Sequence, residues 1–239
     1  INLDANAEPY PGLAESWTQS EDGLKWTFKL RPNLTFHNGE ALTAEDVVFT
    51  FNRLLPEDSG YSYRSQIETI DSIVADDELT VTFNMNTVTG PFEIYMAFPG
   101  SSIVPKDLVE SGHDLNAEPV GSGPFKFVSY SPRDSIKFVK NDNYYEPGRP
   151  YLDALTYRIV SDPTALSNGL KSGEIHFSNE VPPKDWKTII SKNNMTDASL
   201  EGSRYYWMIP NHERGALGNP LVRKAISTVL NREAIVKAA

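Results

Sequence analysis

Short segments that alternate polar and apolar residues, separated by turn signals, set the strongest limit on what this chain can become. The clearest is Lys25-Trp26-Thr27-Phe28-Lys29-Leu30. Trp26, Phe28 and Leu30 fall on one side and Lys25, Thr27 and Lys29 on the other, the period of a half-buried strand. Glu21-Asp22-Gly23 before it is a turn signal. Leu79, Val81, Phe83 and Met85 alternate with Thr80, Thr82 and Asn84 in the same way. Ile67, Ile70 and Ile73-Val74 read as a strand that pairs with that one as a hairpin. Phe125–Val128, Ile136–Val139 and the alternating Leu155, Tyr157 and Ile159 add three further strands.

Helices enter through caps. Thr43 is a good N-cap, with Asp46 at N3 as a short capping box. Val47, Val48, Phe51, Leu54 and Leu55 then form one apolar stripe, which Pro56 ends. Residues 13–19 read as a short helix or turn, and 104–110 as a short helix capped by Pro105. Asp162-Pro163-Thr164 opens a helix to Ser172, with Gly173 as its stop. Ile175-His176-Phe177 reads as a strand after it, which predicts a βαβ unit with a parallel pair. Arg204–Ile209 reads as an aromatic-rich strand. Asn219-Pro220 starts a helix to Val229-Leu230, and Asn231 caps another that runs to Ala239. That last helix has few partners in the sequence, so it reads as cut, and the start at Ile1 reads as processed or trimmed.

Charge and composition exclude several functions. Lys and Arg number 22 against 32 Asp and Glu, a net charge of −10 without long runs of one sign. Phosphate backbones and anionic lipid need clustered Lys and Arg, so neither is an expected partner. No cysteine is present, which removes disulfides, zinc–thiolate sites and thiol nucleophiles. No apolar run approaches the ~20 residues that span a bilayer.

The ordered segments Pro11-Gly12-Leu13-Ala14-Glu15-Ser16-Trp17, Trp26–Arg31, Phe36-His37-Asn38-Gly39 and Leu42–Val47 carry a resemblance. So do Val120-Gly121-Ser122-Gly123-Pro124-Phe125, Asn141–Tyr145, Lys171–Ile175, Val222–Ala225 and Asn231-Arg232-Glu233. In this order they resemble the oligopeptide-binding, family 5 solute-binding proteins of ABC importers. The family usually has Thr at Ser122, Trp at Tyr145 and Asp at Asn231, changes that keep size or polarity. The resemblance implies an α/β class: a periplasmic-binding-protein-like lobe of class II type with a mixed sheet, plus an extra β-rich α+β subdomain, truncated. It implies residues 1–119 as the β-rich subdomain, 120–210 as first-lobe α/β and 211–239 as the start of a second lobe.

The resemblance further implies a non-enzymatic receptor, without metal or cofactor, that closes two lobes on a peptide or similar small solute. Its partners would be that solute and the ABC permease, and it would act as a monomer. It would work in the periplasm or on the outer face of a bacterial membrane, soluble or as a lipoprotein. One lobe alone would bind poorly. The rival class is a secreted carbohydrate-active enzyme, which needs two placed carboxylates.

Three segments are candidate binding surfaces. Tyr61, Tyr63 and Arg64 lie in the loop after the capped helix, and the resemblance turns this loop to the cleft; packing of the loop on its own domain is the alternative. Phe98, Gly100 and Ser101 lie in a second loop whose counterpart approaches ligand. Tyr205 and Trp207 share one face of the strand that crosses between lobes, a face that is either core or cleft. The histidines His37, His113, His176 and His212 sit at no metal-ligand spacing. His37 reads as a turn-stabilising residue, Asp76-Asp77-Glu78 as a solvated turn, and Gly121-Ser122-Gly123-Pro124 as a tight turn because no Lys-Ser/Thr follows it.

Overall fold

Three strands with alternating faces and one capped helix build the main core. The computed structural model describes residues 1–192, 195–198 and 207–238. It divides into two compact units, Ile1–Ile159 and Val160–Ala239.

In the first unit a small ladder joins β1 (Asn2–Leu3) to β2 (Pro9–Tyr10). The main sheet is β3 (Ala14–Gln19), β4 (Lys25–Leu30), β5 (Ile70–Ala75) and β6 (Thr80–Met85), in the order β3-β4-β6-β5 and antiparallel throughout. Trp26 pairs with Phe83 and Phe28 with Val81, so the apolar faces of the two central strands coincide. On the opposite face Thr27 and Thr82 share a hydroxyl–hydroxyl hydrogen bond of 3.0 Å. Helix α1 (Ala44–Leu54) lays Val47 and Phe51 on the apolar side. Phe83 meets both Phe28 and Phe51 edge-on, at 5.6 and 5.2 Å between ring centres. Each such buried aromatic contributes about 1.5–3 kcal/mol over leaving it in water.

Asp46 fixes the start of α1. One carboxylate oxygen accepts from the Thr43 backbone N–H at 2.9 Å and its hydroxyl at 3.1 Å. The other accepts from the Lys106 N–H at 2.9 Å, so the cap also ties down α3 (Lys106–Glu110). A four-residue helix, α2 (Phe92–Tyr95), is fastened to β3 by Trp17, whose indole N–H donates to Glu93 at 2.7 Å. Strands β7 (Phe125–Ser131), β8 (Ser135–Lys140) and β9 (Ala154–Arg158) form a three-stranded antiparallel sheet.

Two expectations need correction here. Residues 14–19 are strand, not helix or turn. Leu13, Ala14 and Glu15 are good helix formers, but the open edge of β4 offers a full ladder of partners, and tertiary pairing overrides propensity.

The second correction lies in the second unit. There α4 (Pro163–Ser172) has the expected cap, Asp162 accepting from the Ala165 N–H at 2.7 Å, and ends at left-handed Gly173. Residues 175–177 form no strand, so no βαβ unit follows β9. The N–H groups of Glu174 and Ile175 both donate to the Gly169 carbonyl at 3.0 Å. Ile175 folds back onto its own helix as a C-terminal hydrophobic contact, leaving nothing to extend a sheet. Helix α5 (Pro183–Lys192) has no counterpart in the sequence reading, although Pro183 at N1 and the spacing of Trp186 and Ile189 are ordinary helix signals. Asp185 ties it to α4, accepting from Ser167 at 2.8 Å and Lys171 at 3.0 Å. Helices α6 (Pro220–Val229) and α7 (Arg232–Ala238) start where expected: Asn219 accepts from the Leu221 N–H and Asn231 from the Ala234 N–H, both at 2.9 Å.

Candidate functional site

A cavity of about 410 Å³ opens in the first unit. Its floor is the core: Phe28 and Leu30 of β4, Val81 and Phe83 of β6, Val47 and Phe51 of α1. Its walls come from three irregular segments, Met96–Ile103, the turn Gly121–Pro124 and the pair Tyr144-Tyr145. Loops carried on a packed scaffold are common places for binding residues. Among the described residues lining it there is no carboxylate.

At the Phe98 side the cavity wall continues into a row of aromatic rings. Tyr61 meets Tyr63 at 5.9 Å, Tyr63 meets Phe98 at 6.2 Å, and Phe98 meets Tyr95 at 6.0 Å. The sequence candidates Tyr61, Tyr63 and Phe98 are therefore neighbours. Gly100 joins them for a steric reason. A Cβ there would lie 2.5 Å from Tyr61 Cε2 and 2.7 Å from its hydroxyl oxygen, closer than carbon contacts allow. That hydroxyl is buried and has no hydrogen-bond partner among the described residues, a costly arrangement unless something else supplies one.

Arg64 and Ser101 have other tasks. Arg64 donates through Nε to the Leu55 carbonyl at 2.7 Å, and its terminal nitrogens lie 3.4 Å from Glu68 and 3.9 Å from Glu57. It braces the loop that presents Tyr61 and Tyr63 against the end of α1. Ser101 is 7% exposed, and its hydroxyl donates to the Tyr95 carbonyl at 2.9 Å. It holds the Pro99–Ser101 turn in shape. Trp207 lies in the second unit, 69% exposed. Tyr205 lies outside the described residues.

The turn Gly121–Pro124 is held by His37 and Asn141. The His37 N–H donates to the Gly121 carbonyl at 2.7 Å, and the Gly121 N–H donates to Nδ1 at 3.2 Å. Nε2 lies 3.0 Å from the Gly123 carbonyl, which also accepts from the buried Asn141 amide at 2.9 Å. His37 is thus the turn-stabilising residue read from the sequence. Burial pushes its pKa below the ordinary histidine value, against the opposing pull of the Gly123 bond.

The sequence reading did not name Tyr144 and Tyr145 as site residues, although they stand in one of its motifs. Their rings contact at 4.5 Å, and the Arg31 guanidinium lies 5.2 Å from the Tyr145 ring centre. Desolvation, aided by a hydrogen bond with Tyr145, raises the Tyr144 phenol above its usual pKa.

The cavity thus has no carboxylate among the described lining residues and lies beside a row of aromatic rings. Comparison with known proteins says which kind of protein holds it. Residues 8–239 match the family model described as bacterial extracellular solute-binding proteins, family 5 Middle. The chain belongs to this family. The oligopeptide-binding protein AppA of Bacillus subtilis is 35% identical over 235 residues, 94% of this chain and 42% of that protein. The structure of AppA in complex with a nonapeptide superposes with a TM-score of 0.74 at 34% identity, covering 81% of this chain and 39% of that one. The binding protein AgaA of A. tumefaciens R10, in complex with agropinic acid, gives 0.75 at 36%, covering 80% and 39%. This family 5 chain therefore has the mixed α/β fold of the periplasmic binding proteins, and it spans less than half the length of the relatives it matches.

Proposed function

We propose that this chain belongs to the solute-capturing component of an ABC importer, which takes peptides or similar small solutes and delivers them to a membrane permease. The observation that carries the reading is the cavity: an apolar floor, walls from irregular segments, an aromatic row at its edge and no carboxylate among the described lining residues. Such a site recognises without reacting. Backbone hydrogen bonds and roomy, wet side-chain pockets tolerate varied solutes. The relatives support that breadth, since AppA is seen with a nonapeptide and AgaA with agropinic acid. A glycosidase would need two carboxylates facing one space, and the described residues of the cavity lining offer none.

In this reading Tyr61, Tyr63, Phe98 and Gly100 form the contact surface, with Arg64 and Ser101 supporting it. Tyr205 and Trp207 remain contacts on sequence grounds alone. The family resemblance likewise carries the subdomain scheme 1–119, 120–210 and 211–239. The protein works outside the cytoplasmic membrane as a non-catalytic monomer; no helix among the described residues is long and apolar enough to cross a membrane. Native mass spectrometry of the product of the complete gene, purified without denaturation, tests this. Co-purifying peptide is the expected result. Turnover of a glycan, or a solute chemistry unlike any small polar molecule, would overturn it.

A further inference from the structure

The Gly121–Pro124 wall depends on which nitrogen of His37 carries a proton. Gly121 donates its N–H to Nδ1, so that nitrogen is bare, and the hydrogen sits on Nε2, where it reaches the Gly123 carbonyl. Only the neutral Nε2–H tautomer fills both roles. A proton added at Nδ1 would face the Gly121 N–H, donor against donor. Gly121 would lose its acceptor while its own carbonyl still held the His37 N–H. The turn would keep its bonds at the Gly123 and Gly121 carbonyls and lose the one made by the Gly121 N–H, leaving that end less tightly held.

Only the Gly123 carbonyl favours a cationic ring, and burial outweighs it; the other groups around it give it no help. Lys126, facing from β7, repels it. Asn141, from the segment after β8, is a neutral amide on the same carbonyl. Glu40 on its own loop and Asp142 beside Asn141 are exposed, where water screens them. The same turn, Gly121 to Pro124, lines the cavity.

We propose that His37 is a positioning residue whose neutral form orders the Gly121–Pro124 wall, so that acidification loosens this wall and weakens solute capture. The first half stands on the hydrogen bonds alone; the second rests on the function proposed above. Because the folded ring resists protonation, order is full above the ordinary histidine value and is lost as pH falls through the lower folded value.

The test compares the native protein with His37→Asn, whose side-chain oxygen can still accept from Gly121 but does not titrate. Amide exchange at Gly121, corrected for the intrinsic pH dependence, is followed by NMR between about pH 8 and pH 5. In the native protein, protection at Gly121 should fall about fivefold or more on acidification, the factor carried by one lost hydrogen bond. That fall should track the His37 ring shifts, and His37→Asn should show a flat profile. A native profile that is flat, or one that the variant shares, would overturn the proposal. In parallel, calorimetry with tri-alanine on the product of the complete gene should show affinity falling with the same midpoint in the native protein only. If tri-alanine binds at no pH, the peptide reading is what fails, and the exchange data still judge His37. If it binds with no pH dependence while Gly121 loosens, the link from wall to capture is refuted.

Discussion

Tyr61 lies across Gly100 so closely that a methyl group at that position would overlap the phenol ring. The two come from separate segments, the loop after α1 and the Pro99–Ser101 turn. A backbone with no side chain is what lets the ring reach its place at the end of the aromatic row. The ring then carries a buried hydroxyl to a spot where the described residues offer it no hydrogen-bond partner.

The two members of this pair should respond differently to substitution. Tyr61→Phe removes a buried, unpaired hydroxyl, so folding should be unchanged or improved by up to about 1 kcal/mol. If the hydroxyl meets the solute, affinity should drop roughly five- to tenfold, the worth of one hydrogen bond. Gly100→Ala should push the ring aside, costing about 1–3 kcal/mol of stability by overpacking and weakening capture as well. Thermal melts and calorimetry on both variants separate these outcomes. Tyr61→Phe that binds as tightly as the native protein removes the hydroxyl from the contact surface.

Asp46 is a cap and a clamp at once. Asp46→Ala deprives the Thr43 and Lys106 N–H groups of their acceptor in a buried site. The expected loss is about 2–4 kcal/mol, a cap of about 1 plus one desolvated donor. Asp46→Asn keeps a single accepting oxygen and should lose less. Urea unfolding of the two variants gives the comparison, and equal losses would mean that the second bond is idle.

Gly169 sets two effects against each other. Alanine is a better helix former than glycine by about 1 kcal/mol. A Cβ at Gly169, however, would lie 2.7 Å from Ile175 Cδ1 and 2.9 Å from its Cγ1. Overpacking at about 1–3 kcal/mol should win, so Gly169→Ala should destabilise the second unit. The double variant with Ile175→Ala should recover the helix gain. A stabilised single variant would show that Ile175 gives way freely.

The α4–α5 link should be sensitive to acid. Hydrogen bonds from Ser167, then Lys171, hold the Asp185 carboxyl below its ordinary value of 3.8. A depressed carboxyl pKa means the unfolded state takes up the proton first. The stabilisation is therefore complete above the ordinary carboxyl value and is lost as pH falls through the lower folded value. Far-ultraviolet circular dichroism during acid unfolding should show a later loss of helix in the native protein than in Asp185→Asn. Coincident curves would mean the link contributes nothing.

The strands Lys25–Leu30 and Thr80–Met85 and the caps at Thr43, Asp162, Asn219 and Asn231 were legible because each is a local pattern. A two-residue period or a capping side chain carries its meaning within one turn of chain. The candidate loops were legible only in part. The sequence could name Tyr61, Tyr63 and Phe98, yet nothing local said that they would stack as one row, or that Arg64 would spend its guanidinium on Leu55 and two glutamates. It also left α5 unread, although its signals were ordinary.

What the sequence determined by itself was the family, through an ordered set of short motifs, and the elements whose hydrophobic period and caps agree. What only the tertiary structure decided was pairing across distance. Residues 14–19 became a strand because β4 had an open edge, Ile175 left the expected sheet because Gly169 offered a bare helix surface, and His37 became the keeper of a turn more than eighty residues away. In each case the deciding partner lies beyond the reach of local propensity, which is worth tenths of a kcal/mol per residue, while burial and a satisfied hydrogen bond are worth about one or more.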